Sequence, residues 1–277
     1  MKIALCNEVL QPMAFAQQCV HAKALGYDGL ELAPFTISDT PHQLSRAEIV
    51  ATRRAASDAG IAITGLHWLL VRPAGLSITS ADGAVRSQTV DVMRALIDLC
   101  AELGGSYLVH GSPAQRRTPP GDTKDAALAR ATECWARAGE YARSTGVTYC
   151  IEPLSRDLTD LVNTVAEAAA LVDKIGNRAL RTMIDTCSAG LAETEALPAI
   201  ITRYVGSGHI AHVQVNDRNR RGPGEGNDTF APIFKALRES RYAGVVAAEP
   251  FVYEPDGRAC AARSIGYIKG ILEALQV

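Results

Sequence analysis

Short apolar runs alternate with longer amphipathic stretches along the whole of this chain. Runs of four to six residues fall at 3–6, 29–32, 61–66, 107–110, 147–151, 181–184, 210–215 and 245–248. Between them, apolar residues recur at helical spacing over 14–25, 45–59, 84–103, 125–144, 165–174, 193–204, 230–239 and 259–275. The punctuation agrees with this division. Gly26 and Gly60 stand where helices need a C-terminal stop, and Ser45 and Glu48 have capping-box spacing. Eight strand–helix units predict an α/β protein with one domain over residues 1–277, a single (β/α)8 TIM barrel. A doubly wound open sheet is the alternative, but no glycine-rich phosphate fingerprint follows the first run.

Length supports the barrel, since 277 residues is usual for one. With 28 Lys and Arg against 30 Asp and Glu, the net charge of -2 speaks against a polyanion-binding surface, so no nucleic acid is expected as a partner. No apolar run could span a bilayer, and the first residues lack a basic segment and cleavage site, so no membrane partner is expected. The seven cysteines are scattered, with no CxxC pair. They read as buried thiols of a reducing compartment, and a cytoplasmic enzyme is expected.

Four residues at the ends of apolar runs carry the candidate chemistry: Glu152, Asp185, His212 and Glu249. Strands of a parallel barrel that each end in a ligand gather those ligands at one mouth. Three carboxylates and one imidazole make a hard site for Mn²⁺, Mg²⁺ or Co²⁺. Any one of them alone reads as a loop acid, a helix cap or a structural histidine. The strand–Glu–Pro pattern, however, occurs twice, at Glu152-Pro153 and Glu249-Pro250, and proline there stops the strand and fixes the turn. His67 and His110 also end apolar runs and are expected to face substrate at the same mouth. Trp68 would supply an apolar wall. Arg218 is expected to bind an anionic or hydroxylated substrate, whereas Arg220 and Arg221 read as a solvated charge run. Glu31 and Asn7 are weaker candidates.

These residues resemble those of the xylose-isomerase-like barrels known as sugar phosphate isomerases/epimerases, and within them the ketose 3-epimerases. The likeness rests on Glu152, the segment Met183-Ile184-Asp185-Thr186, the stretch from His212 to Arg218, and Gly244 to Phe251. It implies that Glu152, Asp185, His212 and Glu249 bind one divalent metal, with Mn²⁺ first and Co²⁺ or Mg²⁺ as alternatives. It further implies that Glu152 and Glu249 exchange protons with the substrate carbon from opposite faces, and that Arg218 contacts sugar hydroxyls. The reaction implied is epimerisation or isomerisation of a small sugar by proton abstraction next to a carbonyl, through a metal-stabilised enediolate. Relatives are often dimers or tetramers, so self-association is expected.

The chain departs from that pattern twice. Ser188 stands where the epimerases carry a histidine three residues after the aspartate, and Leu158 where they carry a glutamate six residues after the first metal glutamate. Both family residues hold hydroxyls, so the substitutions suggest a less polar or cyclic keto-sugar, with Ser188 as a substrate contact. They also keep a lyase in view, expelling a β-leaving group from a 3-keto-sugar, a keto-glycoside or an inosose by the same first step. Phosphodiester hydrolysis at a trinuclear zinc site fits less well, because Ser188 replaces a required histidine. A non-catalytic sugar-binding barrel leaves the paired glutamates unexplained.

Overall fold

The computed structural model describes residues 1–275. Eight parallel strands close into a barrel in sequence order: β1 Lys2–Cys6, β2 Gly29–Leu32, β3 Ala62–Leu66, β4 Tyr107–His110, β5 Thr148–Ile151, β6 Leu180–Asp185, β7 Ile210–Val215 and β8 Val245–Ala248. The helices are α1 Phe15–Leu25, α2 Arg46–Asp58, α3 Gly83–Leu103, α4 Lys124–Thr145, α5 Val165–Ile175, α6 Thr186–Ala192, α7 Leu197–Gly206, α8 Ala231–Glu239 and α9 Gly257–Ala274. The (β/α)8 barrel expected from the hydrophobic pattern is the observed fold. The last two residues of the expected 1–277 domain lie outside the described residues.

Local signals set the helix ends. Ser45 and Glu48 form the capping box reciprocally at the start of α2, and Gly26, Gly104, Gly146 and Gly176 close α1, α3, α4 and α5 in the left-handed conformation. One region differs from expectation. The helical stretch read over 193–204 begins only at Leu197, and the short α6 precedes it. The Asp185 carboxylate caps α6, accepting a hydrogen bond from Ser188 N–H at 2.7 Å. That cap starts a helix at Thr186, directly at the strand end and about two turns earlier than apolar periodicity indicated.

Alternation along the strands decides which side chains enter the barrel. Tyr107, Val109, Cys150 and Met183 form a small apolar cluster apart from the main core. Above it, Glu152 just past β5 and Asp185 at the end of β6 follow at the same two-residue period. All seven cysteines are buried free thiols. Among the described residues, no helix is long and apolar enough to cross a membrane.

Candidate active site

Three carboxylates meet at the carboxyl ends of the strands. Glu152 and Glu249 are the first residues after β5 and β8, Asp185 is the last of β6, and one oxygen of each lies within 4.8 Å of the others. Local packing makes room for them. A Cβ at Gly111 would overlap Glu152 Oε2, so that carboxylate sits where only glycine leaves space. Asn216 ties the strand ends together, donating to the Glu249 carbonyl at 3.0 Å and accepting from Cys187 N–H at 2.9 Å. The Trp68 indole N–H donates to Glu249 Oε1 at 3.3 Å.

Crowding these groups in a buried site disfavours their charge. Burial, followed by the Asp185 charge, pushes Glu152 up to about 8, against the pull of Arg116. Asp185 is raised to about 6 by burial, despite the hydrogen bonds it accepts at the start of α6. Burial together with Glu152 and Asp185 drives Glu249 well above the usual carboxylate range. Asp185 Oδ2 is buried with no hydrogen-bond partner. Three hard oxygen donors, mutual repulsion and an orphaned buried oxygen fit a divalent cation. A second group, buried Cys6, His67 and Glu249 with half-buried Glu8, adjoins the first through Glu249.

Beneath the carboxylates lies Glu31. It accepts from the Tyr107 hydroxyl at 2.6 Å and from Gln214 Nε2 at 2.7 Å, and its Oε2 lies 2.8 Å from His212 Nε2. Burial would raise its carboxyl, but His212, His67 and Tyr107 outweigh that and hold it down at about 2. In the sequence Glu31 is a weak candidate, because a lone acid in a strand carries no pattern. It is the fixed anion around which the interior polar groups are arranged.

The structure brings some expected site residues together and separates others. His212 is not with the three carboxylates. Its ring stacks on Tyr107 with centroids 4.0 Å apart and it faces Glu31. The strand explains why, for β7 continues to Val215, leaving His212 three residues short of its end, while Gln214 pairs with Asp185. His110 is separated too. Tyr107 and Val109 take the inward positions of β4, so the His110 ring turns outward, with Nδ1 2.7 Å from the Tyr149 hydroxyl and accepting from Trp135 Nε1 at 3.1 Å. Burial and the Arg116 charge hold it down at about 3, so it serves as a neutral acceptor. His67 does reach the interior, 3.0 Å from Glu8, 3.5 Å from Glu31 and 3.7 Å from Glu249. Burial opposes its protonation, but Glu8 and Glu31 prevail and raise it.

Above the carboxylates opens a recess of about 140 Å³. Trp68, Leu158 and Ser188 line it, as does Phe251. Arg218 does not; it is held by Asp228 through an Nε–Oδ1 bond of 2.7 Å on an exposed surface. The arginine lining the recess is Arg220, which is also exposed, as the sequence suggested, and whose Nη2 donates to Asp157 Oδ2 at 2.8 Å. A turn in which Arg220 N–H donates to the Asp217 carbonyl, with Arg220 at φ 67°, swings it back over the site. Trp68 (φ 51°) and Ser112 (φ 39°) also line the recess in the left-handed region, a concentration of strained backbone expected at a working site.

Arg116 is a residue that sequence reading missed. It is fully buried and donates to four carbonyls: His110 (3.3 Å), Glu152 (2.7 Å), Leu161 (3.3 Å) and Val162 (3.2 Å). It clamps the loops that carry Glu152, and its charge partly offsets that carboxylate. Arg116→Met removes a donor from four buried carbonyls, of which only those of His110 and Val162 keep a backbone N–H, so urea unfolding should show a loss of about 3 kcal/mol or more. A change within about 0.5 kcal/mol, the range of ordinary surface substitutions, would rule out the clamp.

Known proteins share this chain's sequence pattern and fold. The D-psicose 3-epimerase of Agrobacterium fabrum (strain C58 / ATCC 33970) is 30% identical over 233 residues, covering 82% of this chain and 76% of that protein. The L-ribulose 3-epimerase of Mesorhizobium japonicum is 31% identical over 230 residues, covering 82% and 73%. A crystal structure of D-psicose 3-epimerase in the presence of D-fructose superposes with a TM-score of 0.84 at 23% identity, covering 98% of this chain and 99% of that one. The pattern of the xylose isomerase-like TIM barrel family matches residues 19–271. With that match, the closed barrel and sugar epimerases among its relatives, this chain belongs to the xylose isomerase-like TIM barrel family.

Proposed function

We propose that this protein is a divalent-metal-dependent epimerase of a ketose or keto-sugar derivative, with Glu152 and Glu249 as the proton-transferring pair. The observation that carries the reading is the meeting of Glu152, Asp185 and Glu249 within 4.8 Å at the barrel mouth. A divalent ion, Mn²⁺ before Co²⁺ or Mg²⁺, held by these carboxylates would polarise a carbonyl and its neighbouring hydroxyl and acidify the adjoining C–H.

The chain's own residues do the rest. Glu152 and Glu249 leave non-adjacent strands, β5 and β8, and flank the recess, so one can take the proton from a substrate carbon while the other returns one to the opposite face. The Trp68 N–H orients Glu249. Arg220 and Ser188 supply hydrogen-bond donors for substrate oxygens, and Trp68, Leu158 and Phe251 exclude water from the reacting carbon.

The apolar wall favours one alternative. With Leu158 at the recess, the same proton abstraction would serve elimination from a 3-keto-glycoside. NMR in D₂O with Mn²⁺-loaded protein separates the two readings across a screen of ketohexoses, ketopentoses and 3-keto-glycosides. Epimerisation places one deuterium on the carbon next to the carbonyl in recovered sugar. Elimination instead yields an enone absorbing in the near ultraviolet. Absence of both from every substrate class would overturn the proton-abstraction reading.

A further inference from the structure

The geometry points to Gln214 as the fourth protein ligand of the metal site, binding through its side-chain amide oxygen and making the donor set entirely oxygen. The assignment rests on the metal-dependent reading above and adds a ligand that reading does not name.

Register is the first argument. Gln214 pairs with Asp185 across the β6–β7 ladder, whereas His212 pairs with Met183. Paired residues of adjacent strands share a face, so Gln214 stands on the inner face at the level of Asp185. His212 lies two residues, about 7 Å, deeper.

The second argument is the orientation of the amide. Gln214 is fully buried, and its Nε2 donates to Glu31 Oε1 at 2.7 Å. With the nitrogen held on Glu31 Oε1, the amide oxygen faces away from Glu31. That oxygen, Gln214 Oε1, is buried and has no hydrogen-bond partner, and neither has Asp185 Oδ2 on the neighbouring strand. Two orphaned acceptors at one level of the barrel, beside two further carboxylates, call for a cation between them.

The chemistry of the ligand follows. An amide oxygen is hard and neutral, so replacing an imidazole with it favours Mg²⁺ and Mn²⁺ over Co²⁺ and Zn²⁺. The Glu31 bond plays the supporting part that a carboxylate plays behind a metal-bound histidine, holding the ligand's orientation from behind.

Electron spin-echo spectroscopy of Mn²⁺-loaded native protein tests the assignment without any substitution. An all-oxygen protein set gives no coupling from a directly bound ¹⁴N, whereas Gln214→His introduces one. Calorimetric titration of metal-stripped protein should show Mn²⁺ affinity falling about tenfold or more in Gln214→Leu, since loss even of a residue behind a ligand costs that much. Gln214→His should shift the Co²⁺/Mn²⁺ affinity ratio upward by about tenfold. A directly bound ¹⁴N in the native protein, or native Mn²⁺ affinity in Gln214→Leu, overturns the role of Gln214 and leaves the proposed reaction standing. Failure of native protein to bind any divalent ion overturns both.

Discussion

Glu152→Gln and Glu249→Gln are each expected to lower epimerisation by about 10³-fold, within the range that general acid–base catalysis contributes. Glutamine keeps the shape and one oxygen of each side chain but cannot accept a carbon-bound proton. The two variants should differ in an informative way. With Glu249 disabled, Glu152 can still exchange the proton on its own face, so one substrate epimer loses its C–H to D₂O while the other keeps it. With Glu152 disabled the preference reverses. Both variants are to be assayed at saturating Mn²⁺, so that weaker metal binding is not mistaken for lost proton transfer. Full turnover in both would eliminate the two-glutamate mechanism. Identical exchange patterns would eliminate the division of faces.

Chelating the metal is expected to abolish turnover and to reverse how stability depends on pH. In metal-free protein, Asp185 titrates at about 6 against an ordinary 3.8, and Glu152 at about 8 against 4.5. Over that interval the folded state holds protons that the unfolded chain has lost. Stabilisation is therefore greatest below about pH 4 and is lost as pH rises through about 6 and then about 8. Glu31, held at about 2, titrates far below this window. A bound divalent ion takes the place of those protons, so in the loaded protein the loss disappears and rising pH strengthens metal binding. Melting temperatures with chelator and with Mn²⁺, from about pH 5 to 9, check this. A chelated protein whose Tm stays level or rises from about pH 6 to 8 would contradict it.

Much of the fold was legible because its signals are local. Apolar runs of strand length, helical periodicity, and stops such as Gly26 and Gly60 lie within a few residues of the element they define. Glu152 and Glu249 were legible for the same reason, since a proline after each ends its strand. The boundary of α7 was not, because Asp185 caps an extra short helix ahead of it. Nor was the importance of Arg116 or Arg220. Arg116 matters through carbonyls as far away in sequence as Val162, and Arg220 enters the recess only through a left-handed turn at its own position.

By itself, then, the sequence determined the eight βα units, the single barrel, and the two glutamates and one aspartate at its mouth. Hydrophobic period and chain-breaking residues act within one element and can be read there. Only the tertiary structure decided depth and direction. Strand register set His212 beside Glu31 and Gln214 beside Asp185, inward Tyr107 and Val109 turned His110 away, and Asp228 held Arg218 outside the recess. A shift of one residue between paired strands reverses every side chain, and register is settled by closure of the whole barrel, so no single segment of the chain carries it.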